Sequence, residues 1–362
     1  MVTTIAGGGG GVQVVGLGAQ TPVGRTAPES AAAVRAGISR FSEHPFMTDV
    51  AGEHMRVACV PWLSPLLPLG ARIQALVLGA AKEAVAPLLA AIAESRRPVP
   101  VVGAIIGVTD NRPGLSPRWR QELADGLLQS LSEHFPAVKL EFRASGHAAG
   151  VAAMERGCQL LIEDEVDFCL VGGGDSHLGP ENLLQLEAQE QVRGDDNPWG
   201  FIPGEAGGAC LLATKATARR YGLASLLEVS SVALAKESNT ARSRTVCTGT
   251  GLSQAVAQVL KSCRATQVDV IISDQNGETY RADEFGFTLA RHARRFTAPP
   301  NTRTPATAWG DVGAASVPLF AALVAASGQR GYAAGEYGLL IASSETCERG
   351  AVLVRLESFP PK

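Results

Sequence analysis

Gly200-Phe-Ile-Pro-Gly-Glu-Ala-Gly-Gly-Ala-Cys-Leu-Leu-Ala213 is a glycine-rich turn feeding an apolar strand, and the rest of the chain is read outward from it. Upstream, Asp167-Phe-Cys-Leu-Val-Gly-Gly-Gly174 has the pattern of a buried strand that ends in a glycine turn. Before it come a helical stretch over 148–162, a strand over 138–142, a helix over 118–134 and a continuous apolar strand over 99–108. Helical periodicity also covers 71–94, and the chain opens with a strand at 12–18 followed by a helical stretch that runs through Arg35. Downstream, a short helix at 215–221 and a strand at 226–234 lead into a second cycle. It has helices at 251–262, 282–295 and 313–326 and strands at 268–273, 337–342 and 351–356. Such alternation predicts an α/β protein with a mostly parallel sheet under helical covers. Because the last third echoes what precedes it, the sequence divides into a leader (1–11) and two fused halves, 12–222 and 223–362.

Composition narrows the function. With 35 acidic against 32 basic residues and a formal charge of −3, the chain lacks the basic excess that nucleic-acid binding requires. Its 46% hydrophobic content is that of a globular protein, and 40 glycines against 5% aromatic residues suit layers whose backbones approach closely. Seven cysteines stand singly, an odd number without zinc-like spacing, so neither a disulfide framework nor a metal site is expected and a reducing cytoplasm is the natural setting. The N-terminus has no signal-peptide pattern, and its glycine run reads as a flexible leader. The apolar stretch 73–92 contains Lys82, Glu83 and Pro87 and reads as a core helix rather than a membrane insertion. Gly16-Leu-Gly18 lacks the third glycine of a dinucleotide fingerprint, since position 21 is Thr, and no cofactor is expected.

Taken together, several segments resemble the β-ketoacyl synthases of the thiolase superfamily. Val15-Gly-Leu-Gly-Ala-Gln-Thr-Pro-Val-Gly24 is similar to that family's opening strand and turn, and Ala33-Val-Arg-Ala-Gly-Ile-Ser39 to the helix and loop that follow. Asp167–Asp175 resembles its strand ending in Ala-Gly-Gly-Ala-Glu, and Gly200–Ala209 its Gly-Phe-Val-x-Gly-Glu-Gly-Ala-Gly segment. The resemblance implies the thiolase fold, two βαβαβ halves in five layers (α-β-α-β-α). It also implies a homodimer, or a heterodimer with an active ketosynthase in the manner of chain-length factors, with an acyl carrier protein or acyl-CoA as a further partner.

The family's chemistry uses a cysteine at a strand-to-helix elbow and two histidines. A count without gaps back from Val171 puts the nucleophile position on His147, and a two-residue insertion puts it on Ser145. The first histidine position corresponds to Asp274 or Asn276 and the second to Asp311; the usual lysine maps near Ala306, and Ser343-Ser-Glu-Thr-Cys-Glu-Arg349 replaces a glycine-rich loop. Condensation needs a thiolate to carry the acyl group and imidazole N–H donors for the developing oxyanion. An ionised aspartate accepts only, so Asp311 opposes that chemistry, whereas the Asn276 amide retains a donor. The expectation is a non-condensing partner, scaffold or regulatory homologue. The alternative is an acyltransferase or thioester hydrolase acting through Ser145 or His147, although the G-x-S-x-G elbow is absent.

Other groups have blander readings beside the functional ones. Asp274, Glu278, Asp283 and Glu284 are helix caps or an acid/base or metal cluster, and Arg281 and Arg143 pair with them or bind an anionic substrate. Arg291–Arg295 is a solvated helix face or a contact for a carrier or coenzyme A phosphate. Cys247 and Cys158 read as small buried hydrophobes.

Overall fold

The apolar runs become strands, and their order in the sheet repeats. The computed structural model describes residues 2–3, 11–95, 97–240, 243 and 245–357. The first half supplies β1 (Val12–Gln20), β2 (Val102–Val108), β3 (Val138–Ala144), β4 (Phe168–Ser176) and β5 (Glu205–Thr214). The second supplies β6 (Leu227–Lys236), β7 (Val270–Ser273), β8 (Thr302–Arg303), β9 (Tyr337–Ser343) and β10 (Glu348–Arg355). Across the sheet the order is β3-β2-β4-β5-β1-β6-β10-β9-β7-β8. Counted from the middle, each half therefore runs first, fifth, fourth, second, third. The echo seen in the sequence is a repeated topology.

Between the strands lie α1 (Ala27–Arg35), α2 (Leu69–Ser95), α3 (Trp119–Ser132), α4 (Ala149–Ile162), α5 (Pro180–Ala188), α6 (Lys215–Tyr221), α7 (Thr250–Leu260), α8 (Thr279–Arg291) and α9 (Ser316–Gln329). The side chains of the strands sort them into layers, because successive residues of a strand face opposite ways. Ala104 and Ile106 of β2 pack with α2 and α3, while Ile105 between them packs with α4 and α9. In the second half Leu340 and Ala342 of β9 face the same α4 and α9, while Leu339 and Ile341 face α7. Two outer helical layers, two strand layers and a shared central pair of helices make five layers.

The mostly parallel sheet expected from the alternation is corrected to a mixed one. β3, β2 and β4 are parallel, as are β9, β7 and β8, but every pairing from β4 through β5, β1, β6 and β10 to β9 is antiparallel. A short turn joins β9 to β10, and such a connection returns a strand antiparallel to its neighbour. Alternating apolar runs carry no record of strand direction. The sequence reading also passed over α5 and the hairpin Ser42–Thr48 with His54–Val57. Of the glycine-rich leader, Val2 and Thr3 pair with Ala233 and Val232 of β6, and residues 4–10 lie outside the described residues.

α2 is long and apolar enough to cross a membrane by length and composition alone. Here Ile73, Val77, Ala84 and Leu88 are buried in the core shared with α3 and the first-half strands.

The glycines of β4 show how close the layers lie. A Cβ on Gly173 would overlap the carbonyl oxygen of Ala314 at the entry to α9, and one on Gly174 would overlap Val77 of α2. Backbone cannot retreat as a flexible side chain can, so Gly173→Ala is expected to cost about 3 kcal/mol or more in a denaturant titration. An unchanged midpoint would refute this packing.

Candidate functional site

The fold-deciding turn is tied down by its glutamate. Glu205 is fully buried and accepts from Arg72 Nε and Nη2 at 2.7 and 2.6 Å, Ser176 Oγ at 2.9 Å and the Val60 N–H at 2.9 Å. Its carboxylate is thus a structural anchor. Just before it, Gly204 N–H donates to the Asp311 carbonyl at 2.9 Å and Asp311 N–H donates to the Ile202 carbonyl at 2.8 Å. The turn thereby fixes the loop that presents Asp311.

His147 arrives from the other side. β3 ends at Ala144, and Gly146 takes φ +55°, a left-handed conformation that suits glycine; a single turn of 3-10 helix, Gly146–Ala148, then leads into α4. Ala148 N–H donates to Ser344 Oγ at 3.0 Å, and that hydroxyl donates to the Ser145 carbonyl, so the elbow is pinned to the loop after β9.

His147 and Asp311 meet in the interior, 5% and 4% exposed. The imidazole Nε2 lies 2.8 and 2.9 Å from the two Asp311 oxygens. The same carboxylate accepts from Asn276 Nδ2 at 2.6 Å and from Gly313 N–H at 2.9 Å. The other Nδ2 hydrogen of Asn276 is directed at Glu278 Oε2, 2.9 Å away. Both amide hydrogens that could have served an oxyanion are therefore committed to carboxylates.

Arg281 fills the remaining space. This guanidinium is 2% exposed and donates to Glu278 Oε2 at 3.0 Å, Asp274 Oδ2 at 2.9 Å and the Ser343 carbonyl at 2.5 Å, while its Nη2 lies 3.3 Å from His147 Nε2. Burial alone would lower the His147 pKa, but the attached Asp311 carboxylate outweighs it and the neighbouring Arg281, leaving the imidazole above its ordinary value. Asp311 shows the converse. Burial favours its neutral form, yet His147 holds the carboxyl well below the usual range. The carboxylate charge beside Nε2 thus favours the protonated form of the imidazole.

Of the sequence-derived candidates, His147, Asn276 and Asp311 come together and Ser145 does not. Ser145 lines a separate cavity of about 640 Å³ with Leu234, Gln254 and Gln258. Asp274, the other choice for the first histidine position, serves as an acceptor for Arg281 and for Ser343 N–H at 2.7 Å. The acids around it divide: Asp274 and Glu278 hold Arg281, Glu284 holds Arg349 at 2.5 Å, and Asp283 is exposed. The expected pairing of Arg143 with these acids is corrected, because Arg143 bonds Glu141 on its own strand at 2.8 Å. In the basic run Arg291 and Arg294 are exposed, while His292 and Arg295 are half-buried. Arg291 and His292 reach Ser253, and Arg295 donates to the carbonyls of Leu260, the last residue of α7, and of Thr266 beyond it.

Cys158 is wholly buried and burial pushes its thiol up, out of the reactive range. Cys247, Glu237 and Glu284 place possible ligand atoms within 4.8 Å of one another. Arg349 already neutralises Glu284 there, and Gly251 N–H and Ser238 N–H bind the two oxygens of Glu237. The cluster reads as a paired acid beside a helix entry.

The sequence reading missed His177, which lies one residue beyond β4. Its Nδ1 faces Arg112 Nη1 at 3.0 Å, and its Nε2 lies 3.4 Å from Asp311 Oδ1 without hydrogen-bond alignment. Its position past the carboxyl end of a parallel strand, where α/β sheets build their sites, was the available signal.

Comparison with known proteins agrees with this architecture. Residues 143–218 match the family described as β-ketoacyl synthase, N-terminal domain. A structure of a type II polyketide acyl-carrier protein in complex with its ketosynthase superposes with a TM-score of 0.78 at 15% identity, covering 96% of this chain and 99% of that one. The fold is that of a ketosynthase. The ishigamide ketosynthase/chain length factor gives a TM-score of 0.77 at 16% identity, over 96% of this ketosynthase-like chain and 100% of the other. The ketosynthase from module 6 of the bacillaene synthase of Bacillus subtilis 168 gives 0.76 at 13%, over 96% and 72%. By sequence, no curated protein matches.

Two consequences are measurable. Asp311→Ala leaves His147 Nε2, Asn276 Nδ2 and the Gly313 N–H without their acceptor and is expected to cost about 3–5 kcal/mol of stability. The raised His147 pKa adds stability that is fully present below the unfolded value of about 6.5 and is lost as pH rises through the folded value. Melting temperatures across pH 6–9 should therefore decline in the wild type and flatten in His147→Gln. Parallel curves would show that His147 does not carry the dependence.

Proposed function

We propose that this ketosynthase-like chain is a non-condensing partner protein, a scaffold or regulator built on the fold rather than a carbon–carbon bond-forming enzyme. The supporting observation is the network in which His147 and Asn276 both bind the Asp311 carboxylate, with Arg281 against the imidazole. A condensing site needs an uncommitted nucleophile and donors free to receive an oxyanion. Here the amide hydrogens of Asn276, the oxygens of Asp311 and Nε2 of His147 already have partners. The acyltransferase alternative is not favoured, since His147 Nε2 is engaged by Asp311 and Ser145 lines a cavity that His147 does not line.

The sheet supports a partner. Among the described residues β3 pairs only with β2, which leaves its other edge open, and it alternates Lys139, Glu141 and Arg143, a charged pattern that discourages indiscriminate pairing while permitting a specific seam. Structural neighbours that include a ketosynthase/chain length factor make a ketosynthase the natural candidate for that seam, with an acyl carrier protein as a second contact.

Incubation with malonyl- and acyl-thioesters, read by intact-protein mass spectrometry, tests the proposal. No covalent adduct is expected on the wild type. An adduct that disappears in Ser145→Ala or His147→Ala would instead establish an acyl-transfer enzyme and identify its nucleophile. Light scattering of the chain alone and with a type II ketosynthase separates a homodimer from a one-to-one heterodimer.

A further inference from the structure

A second cavity, of about 950 Å³, lies away from the His147–Asp311 network and is lined by none of its residues. One face of α1 forms a wall along its full length, since Ala27, Ala31, Arg35 and their neighbours recur at helical spacing. At about 1.5 Å per residue that wall is about 12 Å long. α9 forms the facing wall through Ala322 and Ala326, α2 contributes Ala86 and Pro87, and β1 closes the floor. Alanines at the facing positions leave the space that larger side chains would fill. The volume falls in the range of small-molecule sites.

The polar groups are unevenly placed. At the α1 N-terminal end, the Glu83 carboxylate accepts the N–H groups of Ala19 and Ala27, and burial raises its pKa. At the other end the Arg35 guanidinium stacks over the Tyr332 ring at 3.7 Å, with Arg330 two residues before that tyrosine. Neither arginine has a carboxylate within ion-pair distance among the described residues. Two solvent-exposed guanidiniums without a carboxylate partner among the described residues, beside an apolar trough, complement a ligand with an anionic head and a linear hydrocarbon tail.

We infer that this trough binds an alkyl carboxylate, its head against Arg35 and Arg330 and its chain along the alanine face of α1. The site is independent of the function proposed above.

Calorimetry with decanoate, decanol and decyltrimethylammonium below their micellar concentrations tests it. Decanoate should bind one-to-one, and the two uncharged or cationic analogues about tenfold or more weakly. Arg35→Ala/Arg330→Ala should weaken decanoate about tenfold while leaving decanol unchanged. Ala32→Trp, an exposed position on the lining face, should abolish binding of both with the melting temperature retained. Absence of saturable decanoate binding, equal affinity for all three amphiphiles, or undiminished binding in Ala32→Trp would overturn the assignment. Should the tryptophan variant fail to fold, the arginine variant decides alone, since unchanged decanoate affinity in it also refutes the site.

Discussion

A buried carboxylate must be surrounded by donors or it will not stay ionised, and Asp311 imposes that requirement on the centre of this molecule. Its oxygens receive His147 from the first half and Asn276 and Gly313 from the second, while its backbone bonds the turn around Ile202 and Gly204. The two halves are thereby registered at one point. Displacing the carboxylate would leave the His147 imidazole facing Arg281 without its partner, so the elbow, the Asn276 loop and the segment entering α9 are constrained together.

The same constraint separates this site from a reactive one. Reactive groups are held near, but short of, full satisfaction, so that a substrate or transition state completes the set. Here the Asp311 oxygens and the Asn276 amide already have partners, and His177 Nε2 beside them does not. Arg281 adds to this pairing, because its guanidinium supplies fixed donors to Glu278, Asp274 and the Ser343 carbonyl at once. Ion pairs this deep are poor sources of net stability against well-packed apolar residues. What they contribute is a defined geometry.

The layered fold was legible because glycine and β-branched runs mark buried strands, and the Gly200–Ala213 stretch reports a turn whose backbone must approach another segment closely. Strand direction was not legible, since a short connection such as that between β9 and β10 reverses the chain without altering its apolar pattern. In the site, the family correspondence offered His147 or Ser145, Asp274 or Asn276, and Asp311, and of these the structure brings His147, Asn276 and Asp311 together. The role of Arg281 was only half visible. Its proximity to Glu278 follows from helical spacing and Asp274 lies in the loop just before the helix, but its contacts with His147 and the Ser343 carbonyl join segments more than 60 residues apart. His177 carried no local sign beyond its place after a glycine-rich strand.

The central position of β1 has a consequence for synthesis. Its edges are occupied by β5 and β6, so once made this strand has no partner among the core strands until residues near 205–214 appear. At about 5–20 residues per second that interval is about 10–40 s, during which an apolar strand with two open edges is exposed. The nascent chain thus passes through a long stage in which its eventual centre is its most adhesive segment, and in a cell that interval is where chaperones would engage it.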